Sequence, residues 1–224
     1  MTAVVEPSYR KRVGYQGGLL GMFATLAAAL LVGGNVATYD AIEQRKAEDL
    51  QHSLAQVIPD GIHDNNLLDD RLVLKHQEKE VVVYRGLTGN SVAAVAYGVS
   101  EQGYSGEISL IMGVNRNGEI LGVRIISHSE TPGLGDKIEV EKDDWVYSFD
   151  GLSLEKLPEE KWAVKKDGGA FDQFSGATIT PRAVVRAVRQ GLILFGAHRA
   201  ALLKDKSEKP VGPGIVSTTG TVEN

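Results

Sequence analysis

The sequence predicts an α+β protein: an N-terminal transmembrane helix followed by one soluble domain in which an antiparallel sheet packs with helices. Three observations carry this. No residue from 13 to 39 bears a formal charge, a stretch longer than the roughly 20 residues that cross a bilayer as a helix. Four β-rich runs, at residues 81–84, 92–99, 108–114 and 120–126, follow one another closely, and strands joined by tight turns pair antiparallel. Thr180-Pro181 then opens a run with Val184, Val185, Val188, Leu192 and Phe195 at helical spacing, the pattern of an N-cap, a first-turn proline and an amphipathic helix.

Composition bounds the function. A chain of 224 residues holds one sizeable domain plus an anchor. Its formal net charge is −5 and its basic residues are spread along the chain, so it lacks the basic patch that nucleic acid requires. There are no cysteines, which excludes disulfides, thiolate nucleophiles, Fe–S clusters and cysteine-type zinc sites. Any redox chemistry must therefore come from an organic cofactor. The compartment stays open on this ground, because an oxidising space permits disulfides without requiring them.

Taken in order, residues 1–12 are polar and end in Arg10-Lys11-Arg12. That cluster predicts a cytoplasmic N-terminus and places everything after Tyr39 across the membrane, in the periplasm of a Gram-negative cell. The alternative is a cleaved signal peptide with small residues near Ala37. The length of the uncharged stretch, and a helical pattern continuing through Asp40, Glu43 and Lys46, favour retention. Gly17, Gly21, Ala24 and Ala28 form a small-residue stripe that lets another transmembrane helix approach; small residues scattered in a weak anchor give the same pattern. Residues 40–57 read as a helix leaving the membrane and stopping at Pro59-Asp60-Gly61. Residues 65–79 are mixed and charged and take no type. Asn115-Arg116-Asn117-Gly118 is a hairpin turn. The expected division is a cytoplasmic tail at 1–12, a span at 13–39, a domain at 40–203 and a tail at 204–224 that lacks apolar periodicity and is expected to be flexible or to lie along a partner.

The chemistry concentrates in three glycine-bearing segments. Gly103-Tyr104-Ser105-Gly106 links two strands; its glycines allow a flat ligand close to the backbone, though a plain β-turn has the same composition. Thr131-Pro132-Gly133-Leu134-Gly135 exposes backbone amides, with Lys137 just beyond, and suits an anionic group; the bland reading is the approach to a short helix at 136–140. Ser175-Gly176-Ala177-Thr178 precedes the C-terminal helix, so the Thr178 hydroxyl stands on an exposed turn at the positive end of a helix dipole, where phosphate is favoured. His128 reads as a loop residue, the other histidines form no cluster, and Glu139, Glu141, Asp143 and Asp144 read as a solvated acidic face. No metal site and no catalytic acid–base pair is expected. A hydrolase using Ser175 or Thr178 needs a nearby base, and His198 is roughly 25 Å along the helix.

Asp172-Gln173-Phe174-Ser175-Gly176-Ala177-Thr178, with Gly103-Tyr104-Ser105-Gly106, Glu130-Thr131-Pro132-Gly133-Leu134-Gly135-Asp136-Lys137-Ile138 and Lys165-Lys166-Asp167-Gly168-Gly169, resembles the G subunits of the Rnf (Rsx) ion-translocating electron transport complex. These are relatives of the C subunit of the sodium-pumping NADH:quinone reductase. The resemblance covers the chain from the hydrophobic segment to about Leu203. It implies a periplasmic FMN-binding domain on the inner membrane, with FMN joined through its phosphate to Thr178 by a flavin transferase. Asp172, Ser175, Gly176 and Ala177 would frame the acceptor, and Tyr104, Thr131, Leu134, Gly135, Lys137 and Trp145 would line the flavin. The partners implied are the other subunits of the complex, which couples electron transfer between ferredoxin and NAD to ion movement. The competing reading is a cofactor-free, membrane-anchored binding or assembly module whose glycine loops are only turns.

Overall fold

A computed structural model describes residues 13–76 and 79–206. The basic cluster at residues 10–12 and the expected tail from residue 207 onward lie outside the described residues. Two compact units divide at residue 50. The first is the bulk of helix α1, Val13–Val57, which runs unbroken. Its apolar stretch has a mean hydropathy of 1.9 with none of that window buried. Leu20, Leu30, Leu31 and Val36 are all exposed, and in length and composition the helix is able to cross a membrane. The expected span and the expected helix beyond residue 40 are one element.

The second unit is built on a five-stranded sheet in the order β1-β2-β3-β4-β5: β1 Arg71–His76, β2 Lys79–Thr88, β3 Ser91–Gln102, β4 Glu107–Asn115 and β5 Ile120–Ser127. Every neighbouring pair is antiparallel. The predicted runs are β2 to β5. Between β4 and β5 the Asn115 side chain accepts from the amides of Asn117 and Glu119, and Gly118 takes φ 84°, as the hairpin reading requires. Strand β1 arises in the stretch that took no type. Leu72 and Leu74 pack towards the core while Arg71, Val73 and Lys75 face out. Val73 blurs the alternation, and charged residues are what an edge strand carries.

Both faces of the sheet are covered near its centre, which explains why residues 92–99 read as an almost continuous apolar run. On one face lies α2, Ile179–Leu202. It comes close because Gly191 faces Met112: a Cβ there would sit 2.2 Å from the sulfur. Tyr97 is fully buried beneath it and donates to the Gly191 carbonyl at 2.8 Å; burial pushes its phenol far above the ordinary value. The opposite face receives residues 54–58. Ala96, Gly113 and Gly122 form a row across β3, β4 and β5, and a Cβ on Gly113 would fall 2.0 Å from the Val57 carbonyl oxygen. Backbone thus packs on backbone, which only glycine permits.

The fold corrects two sequence readings away from the site. Histidines taken as scattered include one pair, His76 on β1 and His198 on α2, whose Nδ1 and Nε2 lie 3.1 Å apart. At the head of the expected flexible tail, residues 204–206 are pinned to the domain. Arg85 donates to the Lys204 carbonyl at 3.1 Å, and the Lys206 amide donates to the Asn90 carbonyl at 3.0 Å. Lys206 also reaches buried Asp70 at 3.1 Å, opposite Arg85 at 2.5 Å.

Burial alone would raise the Asp70 carboxyl, but the hydrogen bonds and charges of Arg85 and Lys206 outweigh it and hold the group below its ordinary value. A group depressed on folding contributes stability that is complete above its unfolded pKa and is lost as pH falls through the folded one. Wild-type unfolding free energy in urea should therefore drop more steeply below about pH 4 than that of Asp70→Asn. Parallel pH profiles would refute the assignment.

Candidate functional site

The segment leading to Thr178 is shaped by close backbone approaches. Lys165-Lys166-Asp167-Gly168-Gly169 closes a tight loop in which Gly168 takes φ 85°, and a Cβ on Gly169 would lie 1.9 Å from the Ala163 carbonyl oxygen. The loop sends Phe171 and Phe174 into the core. Trp145 sits edge-on to Phe174, with ring centroids 5.2 Å apart, and its indole N–H donates to the Asp172 carbonyl at 2.9 Å. Lys165 pairs with the Asp172 carboxylate at 2.7 Å. With both ends of the segment held, residues 174–177 form a β-turn in which the Ala177 amide donates to the Phe174 carbonyl at 3.2 Å. Gly176 supplies φ 83°, the sign the third turn position of a type II turn needs.

Thr178 follows as the N-cap of α2, half-buried. Its side chain makes no capping hydrogen bond. This corrects the sequence reading, which placed the cap at Thr180. Thr180 lies inside the helix and is buried, because its hydroxyl donates to the Glu130 carboxylate. One turn along, Arg182 grips Asp167 with two hydrogen bonds at 2.6 and 2.7 Å. The bond from Arg182 holds the Asp167 carboxyl below its ordinary value.

Two further loops complete the site. In the turn between β3 and β4 the Gly103 amide donates to the Gly106 carbonyl at 2.8 Å, and the next two amides, of Tyr104 and Ser105, each donate to Glu130 Oε1 at 3.0 Å. After β5, the amides of Leu134 and Gly135 both donate to the Thr131 carbonyl, at 3.1 and 3.0 Å, and Gly133 takes φ 76°. His128 is the loop residue expected: it accepts from the Glu130 amide at 3.1 Å through Nδ1, and its Nε2 meets Glu139 at 2.6 Å.

Together these segments enclose a cavity of about 400 Å³. Tyr104, Thr131, Leu134, Gly135, Gly176, Ala177 and Thr178 line it, so seven of the positions singled out in the sequence converge. Ser175 lies exposed on the turn outside the lining, and Lys137 is exposed beyond the loop. Trp145 is core, only 8% exposed, and holds the Asp172 backbone carbonyl rather than lining the cavity. Glu130, Ile179 and Thr180 join the lining without having been read as site residues. The available signal for Glu130 was a carboxylate placed directly before the glycine loop; for Ile179 it was an apolar residue on the solvent side of a first helical turn.

The arrangement has two ends of different chemistry. Exposed Tyr104, Leu134 and Ile179, at 69%, 44% and 42%, form an apolar rim, which suits a flat aromatic ligand. At Thr178 the start of a 24-residue helix presents amides and a positive dipole end, which suits an anionic arm. A planar ring bearing a phosphate fits both. Among the described residues no group of three or more His, Cys, Asp or Glu side chains is placed to hold a metal ion.

Comparison with known proteins bears on the same residues. The FMN-binding domain family matches residues 103–193, a span that contains every residue lining the cavity. The G subunit of the ion-translocating oxidoreductase complex of Cereibacter sphaeroides is 50% identical over 186 residues, covering 83% of this chain and 85% of that protein. Its counterpart of the same name from Shewanella piezotolerans is 44% identical over 191 residues, covering 83% and 90%. The crystal structure of Shewanella oneidensis NqrC aligns with a TM-score of 0.45 at 21% identity, covering 65% of this chain and 73% of that one.

Proposed function

The chain belongs to the family of G subunits of ion-translocating oxidoreductase complexes, and on that premise we propose that its FMN-binding domain carries the flavin covalently, through a phosphoester to Thr178 Oγ1, as the electron carrier of a membrane complex. One observation supports this above the others: Thr178 lines the cavity and stands at the N-terminus of α2 with its side chain making no capping bond.

Attachment needs a donor whose phosphorus carries a good leaving group, hence a pyrophosphate-linked flavin nucleotide held by a separate flavin transferase. The Oγ1–P bond forms, the pyrophosphate P–O bond breaks, the nucleotide monophosphate departs, and the hydroxyl proton passes to a base on the transferase. Asp172, Gln173 and Ser175 are exposed beside the acceptor, where the transferase would read them. FMN so attached supplies one- and two-electron chemistry. The chain's own residues do the rest. Amides of the first turn of α2 offset the phosphodiester charge. Leu134, Ala177 and Ile179 keep water from the ring, and Tyr104 offers it an aromatic face; the Leu134 and Gly135 amides, expected to face the ligand, are instead spent on the Thr131 carbonyl. A covalent link replaces affinity and sets a high local concentration near neighbouring redox centres.

In this reading the span at residues 13–39 anchors the subunit in the inner membrane, with the N-terminus cytoplasmic and the domain of residues 40–203 periplasmic, among the other subunits of the complex. Electrons exchanged between ferredoxin and NAD would drive ion movement. Intact-mass measurement of the chain purified from its own membrane tests the core of the proposal. The expected result is the polypeptide plus one esterified FMN; a bare polypeptide mass would overturn the covalent link, and a native protein that also carries no flavin absorbance would leave a cofactor-free anchored assembly module.

A further inference from the structure

We propose that Glu130 is a positioning residue of this cavity: its buried carboxylate straps the Tyr104–Ser105 turn to the first turn of α2 and holds those two walls at the spacing that seats the flavin ring. The inference rests on the FMN reading above and adds a residue to it.

Glu130 is 4% exposed, and a carboxylate taken out of water is costly unless its oxygens are hydrogen-bonded. Its donors are the amides of Tyr104 and Ser105 on one oxygen and the Thr180 hydroxyl on the other. None of the three is a cation. They come from two segments far apart in sequence, so the carboxylate works as a cross-link between separate walls rather than as half of an ion pair. The surroundings are cut to admit it. A Cβ on Gly103 would fall 2.6 Å from Glu130 Oε1, and one on Gly135 would fall 2.9 Å from Glu130 Cβ. Its backbone is fixed as well, since the Glu130 amide donates to His128, which is itself held by Glu139. Glu130 lines the cavity, as do Tyr104 and Thr180, so the strap lies at the ligand's boundary.

Glutamine can preserve this geometry. Its carbonyl oxygen can accept from both amides, and its NH₂ group can donate to the Thr180 hydroxyl once that hydroxyl rotates. Alanine cannot. The test uses the full-length chain coexpressed with a flavin transferase and purified in detergent, as wild type, Glu130→Gln, Glu130→Ala and Thr180→Val. Intact mass reports attachment, and visible-region circular dichroism reports whether the ring is seated in a chiral pocket. Glu130→Ala should keep the mass increment and lose the visible dichroism, Glu130→Gln should retain both, and Thr180→Val should lose part of the dichroism. If Glu130→Ala folds but takes up no flavin, the decision passes to Thr180→Val, which must lose part of the dichroism for the strap to stand.

Wild-type dichroism in Glu130→Ala, or equal damage from Glu130→Gln and Glu130→Ala, would overturn it. Should Glu130→Ala fail to fold, unchanged dichroism in Thr180→Val would do so. A wild-type chain without a mass increment is a different result, and it brings down the covalent FMN reading itself.

Discussion

Thr178→Val is expected to abolish covalent flavin while leaving the domain folded. Valine keeps the β-branched shape and removes the hydroxyl. Because Thr178 makes no side-chain cap bond, helix α2 loses nothing it was using at that position, and the stability change should be small, about 0.5 kcal/mol. The chemical effect is all or none, since the removed atom is the one proposed to bond to phosphorus. Denaturing gels read under ultraviolet light should show a fluorescent band for wild type and none for the variant. A band that persists in the variant would sink the assignment. Peptide mass mapping would then identify the true acceptor, and Thr180 is a poor candidate because its hydroxyl is buried against Glu130.

The second large effect concerns stability. Gly113→Ala should destabilise the domain by about 3 kcal/mol, the upper part of the usual range for forcing atoms into a packed core. The added Cβ would lie 2.0 Å from the Val57 carbonyl oxygen, and that atom belongs to helix backbone, which cannot swing aside as a side-chain tip can. For a domain of this size the melting temperature should fall by roughly 6–12 °C. Gly98→Ala is the control: it lies on the neighbouring strand β3, directly opposite Ile111 of β4, and its nearest foreign atom is 3.8 Å away. If Gly113→Ala melts with the control, the last turn of α1 does not pack on the sheet as described.

The sheet was legible because four of its five strands carry dense β-branched runs and tight turns between them. β1 was not, because Val73 interrupts its alternation and Arg71 and Lys75 give it the composition of a loop. The glycine segments were legible as places of close approach, and Gly118, Gly133 and Gly176 do take positive φ. Which side chains then meet around the cavity was less legible. Thr180 looked like a cap by its position before Pro181, yet a carboxylate fifty residues away in sequence takes its hydroxyl. Trp145 lies close in sequence to the 131–135 loop, yet its ring turns inward to Phe149 and Phe174.

By itself the sequence determined the uncharged helix, the antiparallel order of the later strands, the exclusion of thiol chemistry and the threonine placed before a long helix. Each of these depends on local composition or on spacing within one element, which a linear reading carries in full. Only the tertiary structure decided that Tyr104, Glu130 and Thr180 belong to one site, that Trp145 does not face it, and that helix backbone rests on Gly113. Those facts depend on contacts between segments distant in the chain, where packing and the need to satisfy a buried carboxylate outweigh any local preference.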